Sequence, residues 1–410
     1  MQDLRHLDYR LDGSGVISYD YDPLGRTTCV TDPNGWQVRY AYRGDGRREY
    51  IQVYRPGTGI IYALYHFYDY QGRLYFLRRV GDDPTTNLAI FAYDANGNRI
   101  EIWYPLAGQE NGPTVKLNYT HNRDNLLSSI ITSSYDVTGE PNYCLSDADL
   151  DGLGRLTGAE ETITDLAGYE ITHSLSYTYD LRGQLKAASI SNIAGQNWSA
   201  QYGYDKAGNL SAVEVDGSAS NRTFQGDRLL TSSGAESYAL GWDENGQLTG
   251  SAAATLEYDW DGRLYQGQSG SDWLNLKYDP DGNRWAKSSS RTGSRKYIVD
   301  TAADLPVILL ELDRASDQVV KSYYYADEQL ICQHNGDPNT GPRYFYLTDR
   351  IGSVRQVIDV NGYVRHLYSY GPFGKKLEAD DDPDGPGDPP SYLSGRLAGG
   401  GNRQLRLYLR

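Results

Sequence analysis

The sequence predicts an all-β protein built as an array of stacked antiparallel β-hairpins. Composition is the first observation, because 37 tyrosines and 45 glycines occur beside a single methionine in 410 residues. Tyrosine suits the pleated, half-buried surface of a sheet, where the ring packs and the hydroxyl still finds a partner. The second observation is a short motif that recurs at intervals of 20 to 26 residues where it is regular. Such an interval indicates one supersecondary unit per copy.

The recurring motif consists of an aromatic residue, Asp, two variable residues, Gly, and then Arg, Asn or Gln. Its clearest copies begin at Tyr21, Tyr68, Tyr93, Leu150, Tyr179, Tyr204, Trp242, Tyr258 and Tyr278, with a variant in register at Tyr42. The turn residues that we predict from it are Tyr21, Asp22, Gly25, Arg26, Tyr68, Asp69, Gly72, Arg73, Tyr258, Asp259, Gly262, Arg263, Tyr278, Asp279 and Gly282. Their expected role is structural.

Each copy of the motif predicts a tight hairpin. Asp at the first turn position can accept a hydrogen bond from the backbone two residues on, and Gly at the fourth tolerates positive φ. This pattern is typical of a type I turn with a left-handed residue after it. A lone hairpin is marginal in water, so consecutive hairpins must pair into one continuous sheet. A sheet this long must twist and curl.

A second pattern lies between Tyr344 and Gly374, where three alternating runs are separated by Gly-centred turns. Its distinctive residues are Asp349, Ile351, Gly352, Ser353, Asp359, Gly362, Tyr370, Pro372, Phe373 and Gly374. This pattern resembles the core signature of the RHS/YD-repeat family, which includes bacterial polymorphic-toxin shells, insecticidal toxin complex C components and teneurin shells. The resemblance extends over roughly Tyr19 to Gly374 and gives the core residues a structural role.

The resemblance implies a spiral strip that closes into a hollow, barrel-like shell, incomplete in this chain. It implies a non-enzymatic scaffold that encloses or presents a C-terminal toxin or effector in bacterial competition or toxin delivery. The expected partner is that effector polypeptide or a neighbouring shell chain, and the expected location is secreted or at the bacterial cell surface. The alternatives are a cell-surface adhesion or carbohydrate-binding protein, an active autoprotease, and an inactive remnant.

Four regions are expected along the chain. Residues 1–296 form the hairpin array, and residues 297–378 form the RHS-type core. Residues 379–391 are acidic and rich in Pro and Gly, which is typical of a linker. Residues 392–410 are the truncated end of the core, and Leu397 to Arg410 departs from the family pattern. Because Asn402 to Arg410 fits better when read one base later, we expect a frame shift near Gly400.

The sequence assigns no catalytic residue, cofactor or membrane span. A net charge of −15 and a pI of 4.9 argue against a nucleic-acid-binding surface. No apolar run reaches the length of a membrane-spanning helix. The histidines and the three cysteines show no ligand or nucleophile spacing. In the family, complete shells carry an aspartyl-protease-like site, and the resemblance implies that this segment lies beyond the present sequence. Asp349 and Asp359 are therefore expected to be turn residues.

The sequence contains one weak candidate for a metal site. Asp147, Asp149 and Asp151 are spaced like the opening of a calcium loop. A complete loop needs Glu at its twelfth position, and Gly158 stands there. The sequence therefore favours a motif turn with acidic neighbours over a calcium site, and no metal is assigned.

Overall fold

The computed structural model describes residues 6–7, 16–79, 87–106, 112–303, 305–327, 329–338 and 340–381. The regular elements of these residues are 33 β-strands. The first seventeen are β1 (His6–Leu7), β2 (Ile17–Tyr21), β3 (Thr27–Thr31), β4 (Gln37–Tyr42), β5 (Arg48–Arg55), β6 (Gly59–Tyr68), β7 (Leu74–Arg79), β8 (Ala89–Tyr93), β9 (Arg99–Pro105), β10 (Thr114–His121), β11 (Leu127–Tyr135), β12 (Tyr143–Leu150), β13 (Leu156–Thr164), β14 (Glu170–Tyr179), β15 (Leu185–Ile193), β16 (Gln196–Tyr204) and β17 (Leu210–Val215). The other strands are β18 (Ser218–Gln225), β19 (Arg228–Gly234), β20 (Tyr238–Trp242), β21 (Leu248–Ser251), β22 (Ala254–Tyr258), β23 (Leu264–Ser269), β24 (Asp272–Tyr278), β25 (Arg284–Ser289), β26 (Gly293–Asp300), β27 (Val307–Asp313), β28 (Val319–Ala326), β29 (Gln329–Asn335), β30 (Arg343–Thr348), β31 (Val354–Asp359), β32 (Val364–Tyr370) and β33 (Lys376–Asp381).

Every strand pairs in antiparallel fashion with the next strand along the chain, from β1–β2 to β32–β33. The predicted all-β array of stacked antiparallel hairpins is confirmed. Among the described strands, β1 pairs only with β2 and β33 only with β32, so the sheet is not closed.

The turns alternate between the two edges of this strip, because each strand reverses the direction of the one before it. Turns that come after even-numbered strands share one edge, which we call the motif edge. It carries the turns at Asp22, Asp69, Asp151 and Asp349. Turns that come after odd-numbered strands share the opposite edge, where the turn at Asp359 lies.

The strip curls back so that its described C-terminal part, from β26 to β33, packs on the first half of the chain and the two form separate layers. Tyr62 of β6 stacks on Tyr324 of β28, with ring centroids 4.8 Å apart. The Tyr104 hydroxyl donates to the backbone oxygen of Tyr346 at 3.1 Å. Tyr202 of β16 meets Phe373 edge to face, with ring centroids 4.9 Å apart. As the chain advances through the first half, its contacts advance through this C-terminal part, which is the pattern of a wound strip.

Strands β26 to β32 are buried on both faces. Phe345 and Ile358 belong to the hydrophobic core between the two layers of the strip. Their neighbours Tyr346 and Val357 point the other way and belong to a second core. By contrast, the strands β19 to β24 bury one face, with a leucine ladder that includes Leu256. The strands β26 to β32 are therefore the most enclosed part of the described chain, as their near-continuous apolar runs predict.

The expected region boundaries remain sequence-based. β26 crosses the expected boundary between residues 296 and 297, so the sheet is continuous there. β33 extends through Asp381, past the expected start of the linker at residue 379. The rest of the linker, residues 392–410 and the suspected frame shift lie outside the described residues.

Candidate functional site

The motif turn is held together by its aspartate. Asp22 Oδ1 accepts hydrogen bonds from the backbone nitrogens of Leu24 at 3.0 Å and Arg26 at 2.9 Å. Asp22 Oδ2 accepts one from Arg26 Nε at 2.6 Å. Gly25 closes the turn with a φ of +79°, which is the left-handed region where glycine has no steric cost. The aspartate thus satisfies the turn backbone and fixes the arginine.

The same geometry explains why arginine and asparagine occur at the sixth motif position. Arg73, Arg155 and Arg263 each donate Nε to the aspartate four residues earlier, at 2.6 to 2.8 Å. In other copies an asparagine amide reaches the equivalent carboxylate at 2.9 Å: Asn98 to Asp94, Asn209 to Asp205 and Asn283 to Asp279. All of these side chains can place an N–H donor at the aspartate.

Tyrosine and arginine join successive turns along the motif edge. The Tyr93 hydroxyl donates to the backbone oxygen of Leu74 in the preceding hairpin at 2.9 Å. Arg73 lies over the Tyr93 ring, 4.8 Å from its centroid, and donates to the backbone oxygen of Asp94. Equivalent hydroxyl bonds are made by Tyr42, Tyr68, Tyr179, Tyr204 and Tyr258. The motif therefore encodes both the turn and its attachment to the next turn.

Sequence reasoning missed three turns of this kind. Asn122 Oδ1 accepts hydrogen bonds from the backbone of Asp124 and Leu126, and Asn125 adopts a φ of +59° in place of glycine. The turns at Asp32 and Asp165 have the Asp-x-x-Gly spacing without a preceding aromatic residue, and they lie on the opposite edge. The sequence carried a signal for all three turns. The Asp32 and Asp165 turns show the Asp-x-x-Gly spacing, and in the Asn122 turn Asn substitutes for Asp and tolerates the left-handed conformation.

The core-signature aspartates build turns at opposite edges of the strip. Asp349 accepts hydrogen bonds from the backbone nitrogens of Ile351 and Ser353, at 3.0 and 2.8 Å. Asp359 accepts from the backbone nitrogens of Asn361 and Tyr363. β31 separates the two carboxylates by its length, about 20 Å at 3.3 Å per residue. They therefore cannot share a proton as a catalytic aspartate pair does.

The remaining signature residues complete these turns and the link to the first half. Gly352, Gly362 and Gly374 have φ values of +85°, +82° and +70°. In the Tyr370 to Gly374 segment, the Gly374 nitrogen donates to the Gly371 oxygen at 2.7 Å, closing the turn that contains Pro372. Phe373 projects from this turn onto Tyr202 of the first half.

Buried polar contacts connect β31 of the core region to β13 of the first half. We call this group, which consists of Arg355, Gln356, Glu161 and Thr164, the clasp. Arg355 Nη2 contacts Glu161 Oε2, and both side chains are almost fully buried. Burial is the largest influence on the pKa of Glu161 and acts to raise it, but the Arg355 charge together with His173 and Tyr143 lowers the pKa below its ordinary value. His173 Nδ1 lies 3.5 Å from the same carboxylate. Gln356 Nε2 donates to the backbone oxygen of Thr164 at 2.7 Å, so neighbouring residues of β31 contact the same strand, β13.

The surface along which the core region packs on the first half, which we call the seam, contains a cavity of about 680 Å³ at the motif edge. Arg73 and Arg99 line it from the first half, and Asp349 and Arg350 line it from the core region. Arg350 bridges the seam by donating to the backbone oxygen of Gly154 at 3.2 Å.

Comparison with known proteins assigns this arrangement to a family. The family model described as Teneurin YD-shell matches residues 148–384, which is more than half of the chain. The chain belongs to the teneurin YD-shell family. The predicted RHS/YD-repeat membership is thereby confirmed, and this YD-shell chain forms part of a shell-type scaffold.

Two curated relatives show the range of proteins that contain such a segment. Teneurin-4 of Homo sapiens is 22% identical over 374 residues, which cover 88% of this YD-shell chain and 13% of that protein. The tRNA3(Ser)-specific nuclease WapA of Bacillus spizizenii is 31% identical over 191 residues, which cover 44% of this chain and 8% of that protein. The chain thus spans a small part of the length of both relatives.

A solved structure also matches the YD-shell chain. The crystal structure of TcdB2-TccC3-Cdc42 covers 89% of this chain at 11% identity, and the match covers 31% of that chain. Its TM-score is 0.27, which is too low for the likeness to support any conclusion.

The acidic candidates of the YD-shell chain have structural surroundings. Asp147 and Asp149 lie in β12, and Asp151 begins the next motif turn, where it contacts Arg155 Nη2 at 2.6 Å. Within the ranges that the structure describes, no group of three or more His, Cys, Asp or Glu side chains could hold a metal ion. The same ranges contain no helix that is long and apolar enough to cross a membrane.

Proposed function

We propose that this chain is a non-enzymatic shell segment that encloses or presents a C-terminal effector polypeptide. The effector would act in bacterial competition or toxin delivery, and the chain would work outside the cell or at its surface. The observation that carries the proposal is the winding of the strip. β26 to β32 are buried on both faces, and the motif fastens each hairpin to the next, so the strip forms a self-supporting wall.

The relatives support this proposal. The similarity to WapA covers only 8% of that protein, which is named a tRNA nuclease. The shared part is therefore compatible with a scaffold that accompanies an effector of separate sequence. The core aspartates Asp349 and Asp359 hold turn backbone at opposite edges of the strip, so the proposal gives this segment no chemistry of its own.

Protection of an appended polypeptide tests the proposal. A short unstructured peptide with a site-specific protease site is fused after Arg410, and the matched control carries the same peptide before Met1. If the shell encloses a C-terminal extension, the C-terminal peptide is cleaved about tenfold more slowly, because cleavage then requires local opening. Equal cleavage rates at the two ends would contradict enclosure.

The clasp provides a second arm of this test. Replacing Arg355 by Met loosens the seam between the layers, so we expect it to restore fast cleavage of the C-terminal peptide. Circular dichroism and the urea midpoint of the variant show whether the sheet itself survives. Protection that persists in a folded but loosened variant would contradict the role of the wound strip.

A further inference from the structure

The cavity at the motif edge has the size and position of a ligand site. Its volume of about 680 Å³ falls within the range of about 300–1,000 Å³ that is typical of small-molecule sites. One wall comes from motif turns of the first half, including Gly72 and Asn98. The other wall comes from the core region, including Gln329 at the start of β29 and Arg350 in the Asp349 turn. The site therefore exists only when the two layers are packed together.

The lining of this cavity is rich in guanidinium groups, although the chain has a net charge of −15. Four arginines line it, and the acidic side chains among the lining residues are those of Asp327 and Asp349. The lining arginines are Arg47, Arg73, Arg99 and Arg350. Asp45 and Asp69, which pair with Arg47 and Arg73, are not among the lining residues.

Two of these arginines retain hydrogen-bonding capacity. Arg99 Nη1 donates to Gln329 Oε1 at 2.9 Å and Arg99 Nη2 lies 3.5 Å from Asp327 Oδ2, so these contacts use only part of the N–H donors on its two Nη atoms. Arg350 uses Nη2 to reach the Gly154 oxygen, and guanidinium has five N–H donors.

The other two arginines are held in place by aromatic rings. Arg73 lies 4.8 Å from the centroid of Tyr93, and Arg47 lies 5.8 Å from that of Tyr68. Both rings also line the cavity. Such contacts restrict the rotamers of the arginines before any ligand arrives, which lowers the entropic cost of binding.

A second cavity provides an internal comparison. It has a volume of about 460 Å³ and lies at the opposite edge, where Glu140, Asp165 and Glu170 are among its lining residues. Its lining includes neither arginine nor lysine. The arginine-rich wall is therefore a property of the motif-edge cavity rather than of gaps between the layers in general.

We propose that the motif-edge cavity binds a small hydroxylated organic anion of the size of an acidic monosaccharide. Its carboxylate or phosphate is held by Arg99 and Arg350, because guanidinium groups recognise both anions through charge-assisted hydrogen bonds. The Asn98 and Gln329 amides already bond Asp94 and Thr348, which leaves the Asn98 Oδ1 acceptor and the second Gln329 N–H to match sugar hydroxyls. This site is independent of whether the shell encloses an effector.

Calorimetric titration of the full chain at constant ionic strength tests the proposal, with glucuronate, glucose 6-phosphate and glucose as probes. We expect saturable binding of at least one anion, and binding of glucose at least about tenfold weaker, since glucose lacks the charge-assisted bonds. Preference for glucuronate identifies a carboxylate site, and preference for glucose 6-phosphate identifies a phosphate-ester site. No saturable binding of either anion, or equal binding of glucose, would overturn the proposal.

Substitutions locate the binding. Arg99→Gln and Arg350→Gln should each weaken the anion by about tenfold or more. The matched control is Arg182→Gln, because Arg182 is exposed in another motif-edge turn, where its side chain donates to the Lys206 backbone oxygen at 3.2 Å. Unchanged affinity in both cavity variants would overturn the assignment.

Chemical protection avoids any dependence on the folding of the variants. Phenylglyoxal modifies accessible arginines, and mass spectrometry quantifies each site in the unsubstituted chain. Bound anion should slow modification of Arg99 and Arg350 and leave Arg182 unaffected. Equal modification of all three sites with and without the anion would contradict binding in this cavity.

Discussion

Arg355 of β31 forms a buried ion pair with Glu161 of β13, although 194 residues separate them in the chain. The pair lies where the core region packs on the first half. The pair fixes the position of β31 relative to β13, because a shift of either strand would leave a buried charge without its partner. Such a charge is far more costly than the pair itself is stabilising.

We expect Arg355→Met to destabilise the fold by about 3–5 kcal/mol, since it leaves the Glu161 carboxylate buried without its cation. Urea denaturation monitored by circular dichroism measures the change. The double variant Arg355→Met with Glu161→Met should recover most of the loss, because it removes both charges. If the double variant were as unstable as the single one, charge pairing would not be the reason.

Acid should weaken the motif turns. The side-chain hydrogen bonds from Asn98 and Arg155 hold the pKa values of Asp94 and Asp151 below their ordinary range. A lowered folded-state pKa contributes stability that is present above about pH 3.9, the unfolded value, and is lost as the pH falls through the folded value. The urea concentration at the unfolding midpoint should therefore decrease as the pH is lowered below about 4.

The control for this pH effect is Asp151→Asn, which keeps much of the turn geometry but cannot titrate. The difference in urea midpoint between pH 7 and pH 3 should be smaller in this variant than in the unsubstituted chain. An unchanged difference would show that this aspartate does not contribute to the acid sensitivity.

Gly139 tests the seam at the opposite edge. Its backbone nitrogen donates to the Asn361 oxygen at 3.1 Å, and an added Cβ would lie 2.2 Å from the Tyr363 backbone nitrogen. We expect Gly139→Ala to cost about 1–3 kcal/mol, because backbone must move to admit the methyl group. Gly44→Ala is the matched control, since nothing lies within 4 Å of its added Cβ. Equal urea midpoints for the two variants would contradict this seam.

Tyr93→Phe tests the bond between successive motif turns. Removing its hydroxyl leaves the Leu74 oxygen without this donor, so we expect a loss of about 1 kcal/mol in the free energy of unfolding. Tyr70→Phe serves as the control, because Tyr70 is 93% exposed at a turn tip. Thermal or urea unfolding compares the two, and similar small losses would argue against the linking role of the motif tyrosine.

The parts of the fold that could be predicted are those held by hydrogen bonds between residues close together in the sequence. The turn from Asp22 to Arg26 depends on hydrogen bonds between residues two and four apart, so its residue types appear in the sequence as a fixed spacing. The turn from Asn122 to Leu126 obeys the same physics but escaped notice, because Asn replaces both Asp and Gly there. The arginine-rich cavity could not be predicted, since Arg99 and Arg350 meet only across the seam.

The sequence by itself determined the local unit: the hairpin, its turn, the pairing of each hairpin with the next and the family to which the chain belongs. Only the tertiary structure decided where the strip meets itself, as at Tyr62 and Tyr324 or at Glu161 and Arg355. The physical reason is that each strand pair adds a modest twist of about 20–25°. The winding results from the sum of those twists over many strands, so it cannot be read from the sequence of any single repeat.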